Sequence, residues 1–288
     1  MPEAVAALLA PAKINLALHV TGRRADGYHL LDTIAVFADI GDRVEIVADG
    51  RRRIEVSGRF ARDAPADDAN LARRAADAFF AACGDGAPAS VRVEKNLPVG
   101  AGLGGGSADA AAVLRGLSRR LRPGVPPPGL EAIGLGLGLG ADVPMCLAGH
   151  ALRAQGIGEQ IEPLANWPEL PLVLIWPGRA LSTAAVFAAL RRTESPPLPE
   201  PPPAATPADA AAWLGDCRND LEAPALALAP EIGDVLQALR QSGCLLARMS
   251  GSGSACFGIY GERTAAEAAA AAIRVSRPDW WSAATLAS

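Results

Sequence analysis

Several features that would assign this chain quickly are missing from it. No apolar run approaches the ~20 residues that a bilayer-crossing helix needs, so no membrane partner is expected. Cys83, Cys146, Cys217, Cys244 and Cys256 are odd in number, widely spaced and without a CxxC pair. Reduced thiols are therefore expected rather than disulfides or a metal site. The first ten residues contain Glu3 but no Lys or Arg, unlike a secretory or organelle leader, which predicts a cytoplasmic location. Net charge is −4 and the basic residues are scattered, apart from Arg51 to Arg53, so no nucleic-acid footprint is present. What remains is 288 residues, half of them hydrophobic, enough for one large or two ordinary globular domains.

The rest of the chain is organised around one stretch, LPVGAGLGGGSADAAA from Leu97 to Ala112. Gly100, Gly102, Gly104, Gly105 and Gly106 reach positive φ without steric cost and let several N–H groups curl around an anion. Ser107 is a good N-cap, and Ala110, Val113, Leu114, Leu117 and Leu121 then follow helical spacing. A helix N-terminus preceded by such a loop is a natural phosphate site. A P-loop is excluded because no lysine follows the last glycine. A dinucleotide fingerprint is matched formally by Gly100, Gly102 and Gly105, but Val91 to Lys95 alternates apolar with charged residues, whereas a parallel strand buried on both faces is continuously apolar. No acidic residue lies about 20 positions further on to hold a ribose. Arg119 and Arg120 leave an NADP variant open.

The string from Pro98 and Val99 through Gly100, Ala101, Gly102, Leu103, Gly104, Gly105 and Gly106 to Ser107 and Ala108 resembles the phosphate-binding motif of the GHMP kinases. The GGGSADAA form is that of the branch acting on a cytidine-diphosphate-linked methylerythritol. The resemblance implies an α+β, two-domain GHMP kinase fold. Its N-terminal domain, 1–163, would be ribosomal protein S5 domain 2-like, and its C-terminal domain, 164–288, ferredoxin-like. It also implies ATP as co-substrate with Mg2+, a small-molecule alcohol as acceptor, and a monomer or weak homodimer. The metal ligands are unknown.

Other segments carry the same resemblance. Residues 13 to 20, KINLALHV, alternate as a half-buried strand with Lys13 and Asn15 side by side on the polar face. That face is a solvated surface by pattern alone. The resemblance makes Lys13 catalytic and places Asn15 at the substrate. Asp26-Gly27 marks a tight turn before Tyr28 and His29. These two can pack on the strand they join, or, as the resemblance implies, stack on and hydrogen-bond a cytosine. Residues 31 to 60 read as short scaffold strands broken by Gly41, Gly50 and Gly58. A helix runs from Asn70 to about Cys83. Asn70 and Lys95 border the nucleotide in the resemblance.

Pro123 to Gly129 reads as a breaker. In Gly134 to Gly140, four glycines in seven residues weaken a helix by about 1 kcal/mol each relative to Ala. Asp142, in Gly140-Ala-Asp-Val-Pro144, sits at an element boundary, with Val143 biased to extended structure by the proline. It reads as an N-cap, and by resemblance as the catalytic base, with Lys13 keeping it ionised. Thr183 and Phe187 open a helix that the resemblance turns toward the cytidine, while Phe187 also suits a core. Glu194 to Pro207 is proline-rich and reads as a surface loop. Arg248 to Ala255 reads as a hairpin turn and resembles a third family motif.

Overall fold

The computed structural model describes residues 4–47, 49–83, 89–121, 130–203 and 206–288. In chain order, β1 (Ala4–Arg23), β2 (His29–Val47) and β3 (Ile54–Ser57) precede α1 (Leu71–Cys83) and β4 (Ser90–Glu94). Next come α2 (Gly105–Leu121), α3 (Leu130–Leu139), α4 (Val143–Ala148), β5 (Leu152–Gly156), β6 (Gln160–Pro163) and β7 (Leu170–Trp176). The chain continues through α5 (Thr183–Ala188), α6 (Pro207–Gly215), α7 (Glu222–Leu228) and α8 (Glu231–Gln241). It ends with β8 (Leu246–Met249), β9 (Cys256–Ile259), α9 (Arg263–Ser276) and β10 (Trp281–Ala287). The breaker expected at Pro123 to Gly129 lies outside the described residues.

The chain divides into two interleaved compact units. The first holds the described residues of Met1–Ala12, Ile40–Val99 and Gly104–Gly149; the second holds Lys13–Asp39, Gly100–Leu103 and the described residues of His150–Ser288. Strands β1 and β2 therefore contribute residues to both.

In the first unit the second half of β2 pairs antiparallel with β4, and β3 pairs parallel with β4. This mixed sheet is not a doubly wound one, which accounts for the alternating pattern of Val91 to Lys95. Gly41 does not break β2 as expected. A Cβ there would lie 2.1 Å from the Ala10 carbonyl oxygen, so the glycine admits a close backbone approach within a continuous strand. Helix α2 packs by small residues: Ala108, Ala110, Ala111 and Ala112 are all buried, and a Cβ on Gly116 would lie 2.5 Å from Ile46. The Gly134 to Gly140 run is helical over most of its length. Gly136 explains one glycine, because its Cβ would press on Leu147 and Val143 at 3.2 and 3.3 Å. Gly134 and Gly138 face open space, and nothing in the structure explains them.

In the second unit β10, β7, β9 and β8 pair antiparallel in that order. Helices α8 and α9 cover the sheet through Ile232, Val235, Leu239, Ala266, Ala270 and Ile273, packed on Val173, Ile175 and Cys256. A β-α-β-β-α-β order with this strand sequence is ferredoxin-like.

The stretch 194–203 is irregular, as expected, but it is not a free surface loop. Ser195 N–H donates to the Val20 carbonyl at 2.8 Å. The Leu198 amide donates to Asp32 Oδ2 at 3.0 Å, and Arg153 donates to Asp32 and to the Leu198 carbonyl. His19 Nε2 accepts from the Arg218 amide, which leaves Nδ1–H to donate to the Pro196 carbonyl at 2.9 Å. Leu198 is buried. The missing periodicity reflects an extended strap held by side chains distant in sequence. Pro207 opens α6 behind a Thr206–Asp209 capping box.

Candidate active site

The segment 13–20 is buried on both faces, not half-buried: Lys13, Asn15 and His19 are each at most 3% exposed. Leu18, within the segment, pairs through its backbone with Arg218 and Asp220, and the polar side chains on either side of it meet other segments: Asn15 meets Thr33, and His19 meets Pro196 and Arg218. Buried polar groups then need partners. Lys13 Nζ donates to Asn15 Oδ1 at 2.7 Å, Asn15 Nδ2 to Thr33 Oγ1 at 2.8 Å, and Thr33 Oγ1 to the Ala17 carbonyl at 2.6 Å. This relay fixes which way the Asn15 amide points and holds the ammonium against its oxygen.

In the same unit, all four carbonyls of Gly100–Leu103 are occupied. The Gly100 oxygen accepts from Leu181 N–H at 3.2 Å, Ala101 from Ala255 N–H at 2.9 Å, and Leu103 from Lys13 N–H at 2.9 Å. The Gly102 oxygen accepts from Ser250 Oγ at 3.0 Å, and that oxygen in turn accepts from Asn15 N–H at 3.1 Å. Because each peptide is trans and planar, the N–H following a bound carbonyl points away from that carbonyl's donor. The N–H groups of Ala101, Gly102, Leu103 and Gly104 are therefore aimed the other way. Gly102, at φ 77°, has a second constraint: a Cβ would lie 2.5 Å from the Ser250 carbonyl oxygen. Gly251 likewise lets the hairpin turn between β8 and β9 approach Asn15 Oδ1, 3.1 Å from where its Cβ would sit.

The chain then enters α2 three residues earlier than expected. Gly104, at φ 66°, accepts from Ala108 N–H at 2.9 Å, and the helix starts at Gly105. Ser107 is thus inside the first turn and not the N-cap. The positive φ of Gly104 takes over the turning that a capping serine would otherwise perform. Gly104, Gly105, Gly106 and Ser107 retain solvent exposure, whereas Pro98, Ala101, Leu103 and Ala108 are buried and Val99 is partly so.

Asp142 stands at the N-cap of α4 but makes no capping hydrogen bond with its side chain, its backbone being helical at φ −84°, ψ −14°. Capping requires an extended backbone at that position, so the capping reading of Asp142 is not met. Val143 opens the helix and is not extended; Pro144 follows within the first turn, where a missing N–H costs nothing. Met145 and Cys146 behind it are buried.

Asn70 caps α1. Its Oδ1 accepts from Ala72 N–H at 2.9 Å and its Nδ2 donates to the Pro65 carbonyl at 2.7 Å. The Lys95 ammonium is buried and ion-paired to Asp42 and to Asp109, the latter at 2.7 Å. Burial pulls this ammonium down, but the two carboxylates outweigh it and hold it above its ordinary value.

In the second unit the His29 and Phe187 rings stack at 4.8 Å and 21°, while Tyr28 is 59% exposed. Burial, with Arg23 adding to it, lowers the His29 pKa from 6.5, so its imidazole is neutral at neutral pH and keeps one donor and one acceptor. The expected turn is present, with Gly27 at φ 93° and its amide on the Arg24 carbonyl. Thr183 Oγ1 and Ser252 Oγ share a hydrogen bond at 2.9 Å, behind the Ser182 cap of α5.

Sequence reasoning passed over Ser250, Ser252, Asp42 and Asp109. The glycine-serine turn signalled the first two, as a hairpin and by its resemblance to a third family motif, without singling out either serine. Cys217, Cys244 and Cys256 are free thiols. Among the described residues, no group of three His, Cys, Asp or Glu is placed to hold a metal ion and no helix is long and apolar enough to cross a membrane.

Residues 70–150 match the model of the GHMP kinases N terminal domain, and 205–276 that of the GHMP kinases C terminal. The chain is 51% identical to the 4-diphosphocytidyl-2-C-methyl-D-erythritol kinase of Mesorhizobium japonicum, over 96% of this chain and 94% of that one. It is 52% identical to the kinase of the same name from Paracoccus denitrificans, with the same coverage. A crystal structure of 4-(cytidine 5'-diphospho)-2C-methyl-D-erythritol kinase superposes with a TM-score of 0.78 at 35% identity, covering 98% of this chain and 99% of the other. A homoserine kinase from Cytophaga hutchinsonii, at 15% identity and a TM-score of 0.67 over 98% and 94% of the two chains, shares the fold.

Proposed function

The chain belongs to the GHMP kinases, and on that footing we propose that it transfers the γ-phosphoryl group of ATP to the 2-hydroxyl of 4-diphosphocytidyl-2-C-methyl-D-erythritol, a step in non-mevalonate isoprenoid precursor synthesis. The observation that carries this reading is the glycine loop. Its four engaged carbonyls turn successive N–H groups outward, and it runs directly into the N-terminus of α2. Such a cradle suits phosphate oxygens, and a side chain at Gly102 would clash with the Ser250 turn that the loop rests on. MgATP supplies the transferred group and the metal charge that neutralises its oxygens.

Phosphoryl transfer asks a protein mainly for positioning and charge stabilisation. In our reading the segment Pro98 to Ala108 holds the phosphates, with Asn70 and Lys95 on the nucleotide side. Asp142 accepts the proton of the attacking hydroxyl, consistent with a carboxylate that is not spent on capping. Lys13, steadied by Asn15, presents positive charge to the developing negative charge. Asn15, Tyr28, His29, Thr183 and Phe187 recognise the acceptor; the neutral imidazole of His29 has the donor and acceptor that a cytosine edge requires.

We place the domain boundary between 163 and 164, in keeping with the two family models falling on either side. The scattered basic residues and net charge of −4 support the absence of a nucleic-acid partner, and we propose a cytoplasmic enzyme that acts as a monomer or weak homodimer. The test is ADP release with and without the cytidine-linked alcohol. Release that depends on this alcohol supports the reading. Equal turnover of another small alcohol would assign a different GHMP kinase activity, and no ATP consumption would overturn it.

A further inference from the structure

We infer that Lys95 acts on the nucleotide through the glycine loop and not by touching it: together with Asp42 and Asp109 it forms a buried ionic clamp that fixes both ends of that loop. The inference rests on the reading of the loop as the nucleotide site. All the contacts lie within the first unit. Asp42 Oδ1 accepts from the amides of Asn96 at 2.6 Å and Leu97 at 2.8 Å, the last two residues before Pro98. Its Oδ2 pairs with the Lys95 ammonium, which also donates to Asp109 Oδ2 at 2.7 Å. Asp109 is the fifth residue of α2. One ammonium thus joins the point where the chain enters the loop to the helix into which it leaves.

Gly105, the first residue of α2, sits directly on the clamp. A Cβ there would lie 3.3 Å from Asp42 Oδ2 and 3.4 Å from Lys95 Nζ. Only a residue with little or no side chain lets the helix start so close to the charges.

Stability alone does not account for this arrangement. Asp42, Lys95 and Asp109 are each at most 3% exposed, and Asp109 Oδ1 is buried without a hydrogen-bond partner among the described residues. Well-packed apolar side chains often replace buried ion pairs at no loss of stability, and the better-attested use of such groups is to fix a register. An orphaned carboxylate oxygen is a further cost. The register fixed here is the spacing of loop entry and helix start, which sets where the amides from Gly104 to Ser107 lie.

The test uses the full chain with Lys95→Met combined with Asp109→Leu, which leaves Asp42 its two backbone amides. ADP affinity is measured by calorimetry, KM separately for ATP and for the acceptor alcohol, and Tm by melting. The expected result is a lower Tm, because Asp42 is left a buried charge without its counter-ion, together with ADP binding and ATP KM weakened on the order of tenfold and an acceptor KM changed less than about twofold. A lower Tm with unchanged ADP affinity would make the clamp merely structural and overturn the inference. Should the double variant fail to fold, Lys95→Gln, which keeps a donor for one carboxylate, is read the same way. ADP binding by the parent but equally by a folded variant overturns only the clamp. Failure of the parent itself to bind ADP overturns the nucleotide reading of the loop along with it.

Discussion

The backbone amide of Lys13 donates to the carbonyl of Leu103 at 2.9 Å. The strand carrying the candidate catalytic lysine is therefore hydrogen-bonded to the glycine loop 90 positions away in the sequence. Ser250 reinforces the junction from a third segment, accepting from Asn15 and donating to Gly102. Lysine position and loop shape are consequently set by the same few bonds.

Asp142→Asn separates chemistry from capping. Since the side chain makes no capping bond, the variant is not expected to show the ~1 kcal/mol loss that accompanies removal of a true cap. The kcat is expected to fall by about 10² to 10⁴. Steady-state kinetics alongside a melting curve decides the matter, and near-parental turnover by folded protein sinks the catalytic role.

His29 gives a pH signature. Its pKa lies below 6.5 because of burial and Arg23, so the neutral form already prevails at neutral pH. The KM for the cytidine substrate is expected to be flat above about pH 7 and to rise as the imidazole gains its proton in more acidic buffer. His29→Ala should raise this KM and flatten the profile while leaving the ATP KM alone. An equal rise in both constants points to misfolding.

The strap from 195 to 200 makes two ion-pair substitutions unequal. Arg153 pairs with buried Asp32 at 2.7 Å and with Glu200, whose side chain is 85% exposed, at 3.0 Å. Arg153→Met leaves Asp32 an uncompensated buried charge and is expected to cost about 3–5 kcal/mol. Glu200→Ala should cost less than about 1 kcal/mol. Chemical denaturation measures both; equal effects would mean the strap does not rest on Asp32.

Asp109 is expected to make stability fall as pH rises through the mildly acidic range. Burial, with Asp42 adding repulsion, pushes its carboxyl from 3.8 up to about 7 against the pull of Lys95. The folded chain thus binds this proton more tightly than the unfolded one. The resulting stabilisation is complete below pH 3.8, is lost as pH rises to about 7, and changes no further above that. Its ceiling is on the order of 4 kcal/mol. Asp109→Asn removes the titration, so the stability difference between parent and variant should shift across that window. A difference independent of pH would place the Asp109 carboxyl near its ordinary value.

By itself the sequence determined what is encoded in neighbouring residues. The glycines of the loop, the apolar stripe of α2, the helix opening at Asn70 and the Asp26-Gly27 turn follow from local conformational preference, periodicity or motif, and the ferredoxin-like order of the C-terminal elements was implied by the family resemblance. Tertiary structure decided whatever depends on a partner far along the chain. Alternation at Lys13 to Val20 could not reveal that Thr33, Pro196 and Arg218 meet the side chains of Asn15 and His19. Gly41 looked like a break because Ala10, which needs the space, lies 31 positions away. Asp42, Lys95 and Asp109 carry no shared signal, since a buried charge is recognisable only once its counter-charge has been brought against it. The strap from 195 to 200 was illegible for the same reason. Its order comes from the side chains of Asp32 and Arg153, and its own residues have no period to report it.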